Sequence, residues 1–201
     1  MCGSRLASTS RDLDSIDSDG DSERIVAVSR GIWQPAGMRV FVTGASGFVG
    51  RRLMQRLRDV GHVVHGADRE VDVTEFSEIA TVLEERNPEA VIHLAAMSSV
   101  AQSWREPALC YRLNFIGTRT LLSAVRAKCP GARVLLIGSA DEYAATSPAA
   151  EAIDESTPLN PRSPYARTKA AAELLGGIAA TNGLDVVRVR AFNHTGAGQF
   201  D

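Results

Sequence analysis

The segment MRVFVTGASGFVG, residues 38–50, joins an apolar run directly to a glycine-rich turn. Residues 39–43 predict a strand, and residues 48–60 predict an amphipathic helix that Gly61 ends. The spacing of the glycines allows a tight turn, close approach to a pyrophosphate and close packing of helix on strand, and the positive end of the helix faces the phosphates. The segment therefore predicts a dinucleotide site. The residues predicted to line it are Gly44, Ser46, Gly47, Phe48, Val49 and Gly50.

Asp68 lies at the end of the second predicted strand, about 20 residues beyond the glycine turn, as the dinucleotide pattern requires. A carboxylate here would accept hydrogen bonds from both ribose hydroxyls of NAD and repel a 2′-phosphate, whereas Arg69 would attract that phosphate. The predicted cofactor is therefore NAD or NADP, with Asp68 at the ribose. A cap on the strand end is the alternative role of Asp68.

The rest of the chain alternates between strand and helix patterns. Further strands are predicted at residues 62–67, 90–96, 133–139 and 185–192, the last counted as the sixth strand of the sheet. Further helices are predicted between a cap at Thr74 and Pro88, at 107–128 and at 164–180. The residues predicted to face inward from the first two helices are Leu53, Leu57, Val60, Phe76, Ile79, Val82 and Leu83. Helices of this length connect strands that pair in parallel, so the sequence predicts a Rossmann-type α/β fold, a doubly wound parallel sheet with helices on both faces.

Tyr165 and Lys169 are four residues apart in SPYARTKAAAE, which places both side chains on one face of a helix. Ser163 and Pro164 are predicted as the N-cap and first position of this helix. The Lys169 ammonium beside the phenol is expected to favour the phenolate and thereby lower the pKa of Tyr165. Ser139 ends a strand, so its hydroxyl and that of Tyr165 could hold a carbonyl group that takes a hydride at carbon and a proton at oxygen. Ser139, Tyr165 and Lys169 are the predicted catalytic residues.

The composition is typical of a globular domain, since 44% of the 201 residues are hydrophobic and 23% are charged. The 24 acidic and 22 basic residues nearly cancel, which gives no support to nucleic acid or an anionic membrane as a partner. Cys2, Cys110 and Cys129 show neither a disulfide framework nor zinc-ligand spacing. No apolar run approaches roughly 18 residues, and no secretory pattern is present. The sequence predicts a cytoplasmic protein that binds a small molecule and no metal.

Residues 1–37 differ from the rest because Ser, Asp and Arg are abundant there. This N-terminal extension is predicted to be disordered, and Met38 is the hypothesised natural start. Residues 38–201 are the predicted NAD(P)-binding domain. A polar loop at 144–163 is expected to face the substrate. A doubly wound fold normally continues beyond its sixth strand, so the chain is expected to be truncated before a C-terminal substrate domain.

Seven motifs occur in the order found in the extended short-chain dehydrogenases/reductases that act on nucleotide sugars. They are TGASGFVG, Asp72-Val73, HLAA at 93–96, Asn114 in LNFIGTRTLL, Ser139, YARTK and RAFNHTGAGQ. The chain resembles this family from about residue 38 to 200. The resemblance implies a Rossmann fold with bound NAD or NADP and the catalytic set named above, in which Tyr165 and Lys169 also bind the cofactor, Lys169 at the nicotinamide ribose. The further cofactor residues that it implies are Asp72 and Val73 at the adenine, together with Leu94, Ala95 and Ala96.

Within the family, the chain is most similar to the GDP-mannose branch, through FNHTGAGQ, SSVAQSW at 98–104 and GSADEY at 138–143. This similarity implies reduction of the 4-keto group of a nucleotide-linked 4-keto-6-deoxy sugar, with a GDP-sugar favoured. The residues implied at the substrate are Ser98, Ser99, Asp141, Asn193 and His194; for His194, bracing of its loop is an equal alternative. The family also implies a homodimer formed through the helices at 107–128 and 164–180.

Three other functions stay open. Asp141 lies where the 4,6-dehydratases of the family carry a glutamate, so a GDP-mannose 4,6-dehydratase is the main alternative. A nucleotide-sugar 4-epimerase would use the same tyrosine and lysine to oxidise and re-reduce C4. A non-catalytic NAD(P)-binding redox sensor, which belongs to another class, would bind the cofactor without turnover.

Overall fold

The computed structural model describes residues 37–143, 153–196 and 199. The predicted disorder of residues 1–37 therefore lies, Gly37 apart, outside the described residues, as do positions 144–152 of the predicted loop. The strands are β1 (Arg39–Thr43), β2 (Val63–Ala67), β3 (Ala90–His93), β4 (Arg133–Ser139) and β5 (Val186–Ala191). The helices are α1 (Phe48–Asp59), α2 (Phe76–Arg86), α3 (Val100–Arg105), α4 (Pro107–Tyr111), α5 (Gly117–Lys128) and α6 (Pro164–Thr181). A π-helical segment, Arg112–Ile116, joins α4 to α5, and a 3₁₀ turn, Ala140–Glu142, follows β4.

The five strands form one parallel sheet in the order β2-β1-β3-β4-β5. The chain moves outward in one direction from β1 to β2 and in the other direction from β3 to β5. The carboxyl ends of β1 and β3 therefore form the switch point at which ligands bind in open α/β sheets. The predicted doubly wound fold is confirmed.

Helices cover both faces of the sheet because successive strand residues point to opposite sides. On one face, Phe41 of β1 and Val91 of β3 pack in a buried cluster with Leu83 of α2 and Leu121 of α5. On the other face lies α1, whose buried residues are Gly50, Met54 and Leu57. The side chain of Met54 lies directly over Gly66 of β2, where a Cβ atom would be 2.9 Å from the Met54 methyl group. This close approach packs the middle of α1 against the end of β2.

Several local predictions are wrong. The described residues contain five strands rather than six, because the chain between β2 and α2 forms turns, with hydrogen bonds from Val71 N to Asp68 O and from Glu75 N to Asp72 O. Thr74 does not cap α2, since its hydroxyl donates to Asp72 Oδ1 at 2.7 Å instead. Val60 follows the last residue of α1 and is 44% exposed, and Phe76 begins α2 and is 47% exposed. Residues at helix ends have few neighbours to cover them. Leu53 is only half-buried, and the adjacent Met54 takes the predicted inward position.

Candidate active site

The glycine turn lies where β1, β2 and β3 end together. Gly44 N donates to Ala67 O at 2.8 Å, and Gly44 has a φ of +72°, which glycine adopts without strain. A Cβ atom at Gly44 would be 2.7 Å from Ala95 N, and one at Gly50 would collide with Gly44 O. Gly47 is the N-cap of α1 and supplies no side-chain cap to the first turn. The N–H groups at the start of α1 thus remain suited to a phosphate.

Asp68 follows β2 and faces the same turn. Its Oδ2 atom accepts a hydrogen bond from Ser46 N at 2.8 Å. The structure therefore brings together the two predicted parts of the dinucleotide site, the turn and the carboxylate. Residues 72–73 lie further along the same edge. Asp72 binds Arg112 at 3.0 Å, and Val73 is buried.

A buried hydrogen-bond chain fixes the segment after β3. The hydroxyl of Thr118 donates to Asn114 O at 2.7 Å, so it must accept from His93 Nε2, at 3.1 Å. His93 Nδ1 then accepts from the Thr43 hydroxyl at 2.7 Å, and Thr43 Oγ1 accepts from Ala95 N at 3.2 Å. Burial, together with the Lys169 charge, lowers the pKa of His93 to about 3, so the ring is neutral. This chain holds residues 94–96 against Gly44, as their predicted cofactor role requires.

Asn114, in the π-helical segment, ties the same region to α6. Its side chain accepts from Met97 N at 2.8 Å and donates to Met97 O at 3.1 Å and to Thr168 Oγ1 at 3.0 Å. All of these groups are buried. Because Thr168 precedes Lys169, Asn114 fixes the relation between the loop after β3 and the helix that carries the predicted proton donor.

The predicted start of α6 is confirmed. Ser163 is its N-cap and accepts a hydrogen bond from Ala166 N at 3.0 Å, and Pro164 occupies the first turn. Tyr165 and Lys169 are both partly buried and lie one turn apart. Ser139 ends β4, and its hydroxyl lies close enough to the Tyr165 phenol to favour the phenolate. The three predicted catalytic residues therefore come together.

The predicted lowering of the pKa of Tyr165 is wrong for this structure. Burial is the largest influence and raises the pKa of Tyr165, and the charges of Asp141 and Glu142 act in the same direction. These effects outweigh the nearby Ser139 hydroxyl, which lowers the pKa. Burial also lowers the pKa of Lys169 to about 8, although Glu142 opposes this. Within the described residues, Lys169 Nζ has no hydrogen-bond or ion-pair partner. A partly buried cation without such a partner is suited to binding a ligand.

The predicted substrate residues are more dispersed. Ser98 is exposed, and the Ser99 hydroxyl caps α3 by accepting from Gln102 N at 3.2 Å. Asp141 is exposed and close enough to Tyr165 to raise its pKa. Asn193 and His194 are both exposed.

The His194 ring stacks on Phe48 at the start of α1, with ring centroids 6.1 Å apart. This ring contact places the His194 side chain beside the glycine turn.

Sequence reasoning missed the burial of Glu142. Two acidic residues follow Ser139, and nothing in the sequence distinguishes them, yet Asp141 is exposed whereas Glu142 has no exposed surface. Glu142 Oε1 accepts a hydrogen bond from Ser139 N at 2.7 Å. The only available signal was the spacing of three residues between a serine and a glutamate, which is that of a capping box.

Fold and site together define a dinucleotide-binding protein of the Rossmann type. The chain belongs to the NAD dependent epimerase/dehydratase family, whose model matches residues 40–201. The predicted resemblance to the extended short-chain dehydrogenases/reductases of nucleotide-sugar metabolism is confirmed, and so is the prediction of an enzyme family.

Two curated relatives and one solved structure illustrate the range of activities within the family. GDP-6-deoxy-D-mannose reductase of Pseudomonas aeruginosa is 39% identical over 169 residues, which cover 81% of this chain and 54% of the relative. The dTDP-glucose 4,6-dehydratase of Haemophilus influenzae is 30% identical, with 81% and 57% covered. The structure of RMD from Pseudomonas aeruginosa complexed with NADPH has a TM-score of 0.73 and 37% identity, and the match covers 83% of this chain and 56% of that one. The chain thus spans about half the length of the curated relatives that it matches.

No described helix combines the length and apolarity that a membrane crossing requires. Among the described residues, no three His, Cys, Asp or Glu side chains are grouped as metal ligands would be. The predicted absence of a metal stays a prediction.

Proposed function

We propose that this chain is the NAD(P)-binding part of an oxidoreductase that reduces the 4-keto group of a GDP-linked 4-keto-6-deoxy sugar. The observation that carries this proposal is the convergence of Ser139, Tyr165 and Lys169 at the edge of the sheet where the glycine turn lies. All strands are parallel, so the carboxyl ends of β1 and β4 share this edge. The GDP-linked substrate is supported by the 39% identity to GDP-6-deoxy-D-mannose reductase.

The residues at this edge fit a bound NAD or NADP. The open first turn of α1 would bind the pyrophosphate, and Gly44 and Gly50 leave no room for side chains beneath it. Asp68 would bind the adenosine ribose, Asp72 and Val73 would lie at the adenine, and Leu94–Ala96 would line the cofactor. Lys169, which has no hydrogen-bond or ion-pair partner in the described residues, would bind the nicotinamide ribose. When bound, the nicotinamide supplies the hydride.

Ser139 and Tyr165 would bind the substrate carbonyl group and supply its proton. Their hydroxyl groups would bind the carbonyl oxygen of the substrate, and Tyr165 would donate its proton to that oxygen as hydride reaches the carbon. Because burial raises the pKa of Tyr165, the phenol holds its proton at neutral pH, as a donor must. The Lys169 ammonium would then stabilise the phenolate that remains. Ser98, Ser99, Asn193 and His194 are proposed as further substrate residues on the family motifs alone.

One observation favours the dehydratase alternative. Asp141 lies close enough to Tyr165 for its charge to raise the pKa of the phenol, and it is exposed to an incoming ligand. In a dehydratase, a carboxylate there would remove a proton during elimination of water. Asp141 would instead contact the sugar in the proposed reductase.

The test is NADH and NADPH oxidation by the protein with GDP-4-keto-6-deoxy-D-mannose, with the product identified by NMR. A reductase consumes one reduced cofactor per product formed. Net conversion of GDP-mannose to the 4-keto sugar, or of one C4 epimer to the other, without cofactor consumption contradicts the proposal and identifies the dehydratase or the epimerase. Cofactor binding without turnover identifies the sensor.

Tyr165→Phe is expected to lower kcat by about 10²- to 10⁴-fold, because it removes the proton donor. Cofactor affinity should change only a few-fold. Tyr111→Phe is the matched control, since Tyr111 is 49% exposed and lies outside the site. Turnover by Tyr165→Phe at the wild-type rate contradicts the assignment of the proton donor.

A homodimer is also proposed. Leu174 and Ile178 lie one turn apart on α6 and are 65% and 51% exposed, and Leu109 and Tyr111 are exposed on the neighbouring α4. Exposed apolar side chains on adjacent helices are typical of a protein interface. Leu174→Glu with Ile178→Glu should yield a monomer in analytical ultracentrifugation with an unchanged circular dichroism spectrum. A wild-type chain that sediments as a monomer contradicts the proposal.

The cytoplasmic location stays a prediction.

A further inference from the structure

The buried carboxyl group of Glu142 is only half satisfied. Glu142 Oε1 accepts the hydrogen bond from Ser139 N, and Ser139 Oγ accepts from Asp141 N at 3.2 Å, so the two residues form a capping box on the 3₁₀ turn. Capping-box glutamates usually reach back over a helix end at the surface. Glu142, by contrast, is completely buried, and its Oε2 atom has no hydrogen-bond partner in the described residues.

The charged groups around Glu142 come from α6 and β5. The charged groups are Lys169 and Glu173 of α6, and Arg188 and Arg190 of β5, which act on Glu142 through Glu173; the neutral Tyr165 phenol of α6 also lies near Glu142. Arg190 holds Glu173 in a two-pronged ion pair, at 2.6 Å and 2.8 Å, and donates to Tyr143 Oη at 2.7 Å. Because the Arg190 guanidinium is bound to Glu173 and Tyr143, Glu173 is ionised. On that side Glu142 therefore faces the Glu173 carboxylate rather than a cation.

Two adjacent carboxyl groups, of which Glu142 is buried and Glu173 is partly buried, cannot both ionise without a large cost. Burial raises the pKa of Glu142 to about 7, and the nearby Glu173 acts in the same direction, against the effects of the Ser139 N–H and the Lys169 charge. The pKa of Glu173 is lowered, first by Arg190. The glycine at position 138 leaves room for the Glu142 side chain, because a Cβ atom there would lie 2.6 Å from Glu142 Oε1.

We propose that Glu142 is a positioning residue that works as a neutral carboxylic acid, its protonated Oε2 donating to Glu173 while Oε1 holds the N–H group of Ser139. This arrangement attaches the end of β4 to α6, and so fixes the Ser139 hydroxyl relative to Tyr165 and Lys169. The acid touches neither substrate nor cofactor. Its role in positioning Ser139 rests on the proposed function, whereas its neutral state does not.

Replacement by glutamine tests this proposal, because an amide keeps one acceptor for Ser139 N and one donor for Glu173. The free energy of unfolding in urea is measured from pH 4.5 to 8 for wild type, Glu142→Gln and Glu142→Ala. A neutral acid in the folded state loses its proton on unfolding above pH 4.5, so wild-type stability falls relative to Glu142→Gln as the pH rises to about 7. The folding equilibrium constant should shift on the order of 100-fold in favour of the glutamine variant. Glu142→Ala should be less stable at every pH.

Glu85→Gln on α2 is the matched control, since Glu85 is exposed and the same change there should leave the pH dependence unaltered. A glutamine variant as unstable as the alanine variant at pH 7–8 overturns the proposal, because the ionised form is then the one that the fold needs. An unchanged difference between wild type and Glu142→Gln across the pH range also overturns it.

Amide hydrogen exchange at Ser139 reports the positioning role without any need for turnover. Exchange at Ser139 N should remain protected in Glu142→Gln and become faster than global unfolding in Glu142→Ala. Equal protection in both variants contradicts positioning. If these results hold while no sugar nucleotide is reduced, the proposed function fails and the neutral acid stands. If the enzyme turns over, kcat of Glu142→Gln should remain within a few-fold of wild type.

Discussion

At the scale of single residues, Gly44 shows how little freedom the cofactor turn has. Its positive φ and the 2.7 Å approach to Ala95 N both exclude a side chain. Gly44→Ala is expected to destabilise the protein by about 1–3 kcal/mol through backbone strain, with further loss from the collision, and to abolish NADPH binding. Urea unfolding and NADPH fluorescence titration measure the two effects.

The matched control for this change is Gly131→Ala, because a Cβ atom at Gly131 meets nothing within 4 Å. Gly131→Ala should leave NADPH affinity unchanged. Equal affinities for wild type and Gly44→Ala would show that the turn does not hold the cofactor.

Lys169 gives a prediction about pH. Because burial lowers the pKa of Lys169 to about 8, its ammonium form is lost as the pH rises through that value. NADPH affinity should therefore decline above about pH 8 in the wild type, and Lys169→Met should be weaker below pH 8 and nearly insensitive to pH. Arg167→Met, at an exposed position on the same helix, should behave like wild type. Parallel pH profiles for wild type and Lys169→Met contradict a role of the ammonium in binding.

At the scale of secondary-structure elements, the π-helical segment between α4 and α5 places Asn114 between two parts of the site. Asn114→Leu keeps the approximate volume but leaves Met97 N and Met97 O buried without partners. Each unsatisfied group costs about 1–3 kcal/mol, so a loss of about 2–5 kcal/mol is expected in urea unfolding. Asn182→Leu serves as the control, because Asn182 is exposed at the end of α6. A loss at Asn114 no larger than that at Asn182 contradicts this role.

The same segment shows what sequence patterns cannot detect. Residues 107–128 were predicted as one helix, and the structure forms a continuous helical run there, but a π-helical segment interrupts its α-helical register. Hydrophobic periodicity does not report such an insertion, since the bonds that stabilise it come from Met97 and Thr168, distant in sequence. The cap at Ser163 was predictable because its partner, Ala166 N, is only three residues away. At Thr74 the competing partner, Asp72, was equally local but not anticipated.

At the scale of the whole molecule, two buried groups make opposite contributions to the pH dependence of folding stability. His93 is neutral in the fold, with its pKa lowered from 6.5 to about 3, so it contributes a loss of stability as the pH falls below about 6.5. Glu142, with its pKa raised from 4.5 to about 7, contributes a loss as the pH rises from about 4.5 to 7. Between about pH 4.5 and 6.5 these contributions cancel.

Glu142→Gln removes the pH-dependent contribution of Glu142 to stability and should make that of His93 measurable. Acid destabilisation in urea unfolding should begin near pH 6.5 in the variant and near pH 4.5 in the wild type. An identical onset in both proteins would show that one of the two groups has an ordinary pKa in the folded state.

The overall architecture was largely predictable because it rests on repeated local signals: apolar strands, helices between them and glycines at fixed spacing. The site was predictable where it follows motifs, as for Gly44, Tyr165 and Lys169. The acid pair of Glu142 and Glu173 was not, because its members are 31 positions apart in sequence and only the packing of β4 against α6 brings them together. The electrostatic consequence, a raised pKa for Tyr165, was missed for the same reason.

The purely parallel pairing of the strands also governs how the chain reaches its native state. No two neighbouring strands are joined by a hairpin, and the central pair β1–β3 matches Val40 with Ala90, about 50 residues away. Such contacts offset the entropy cost of ordering only after long stretches of chain have been brought together. Refolding is therefore slow, and the apolar strands are meanwhile exposed to aggregation with other chains. Recovery of active protein from denaturant should therefore improve with dilution and with low temperature during the first minutes.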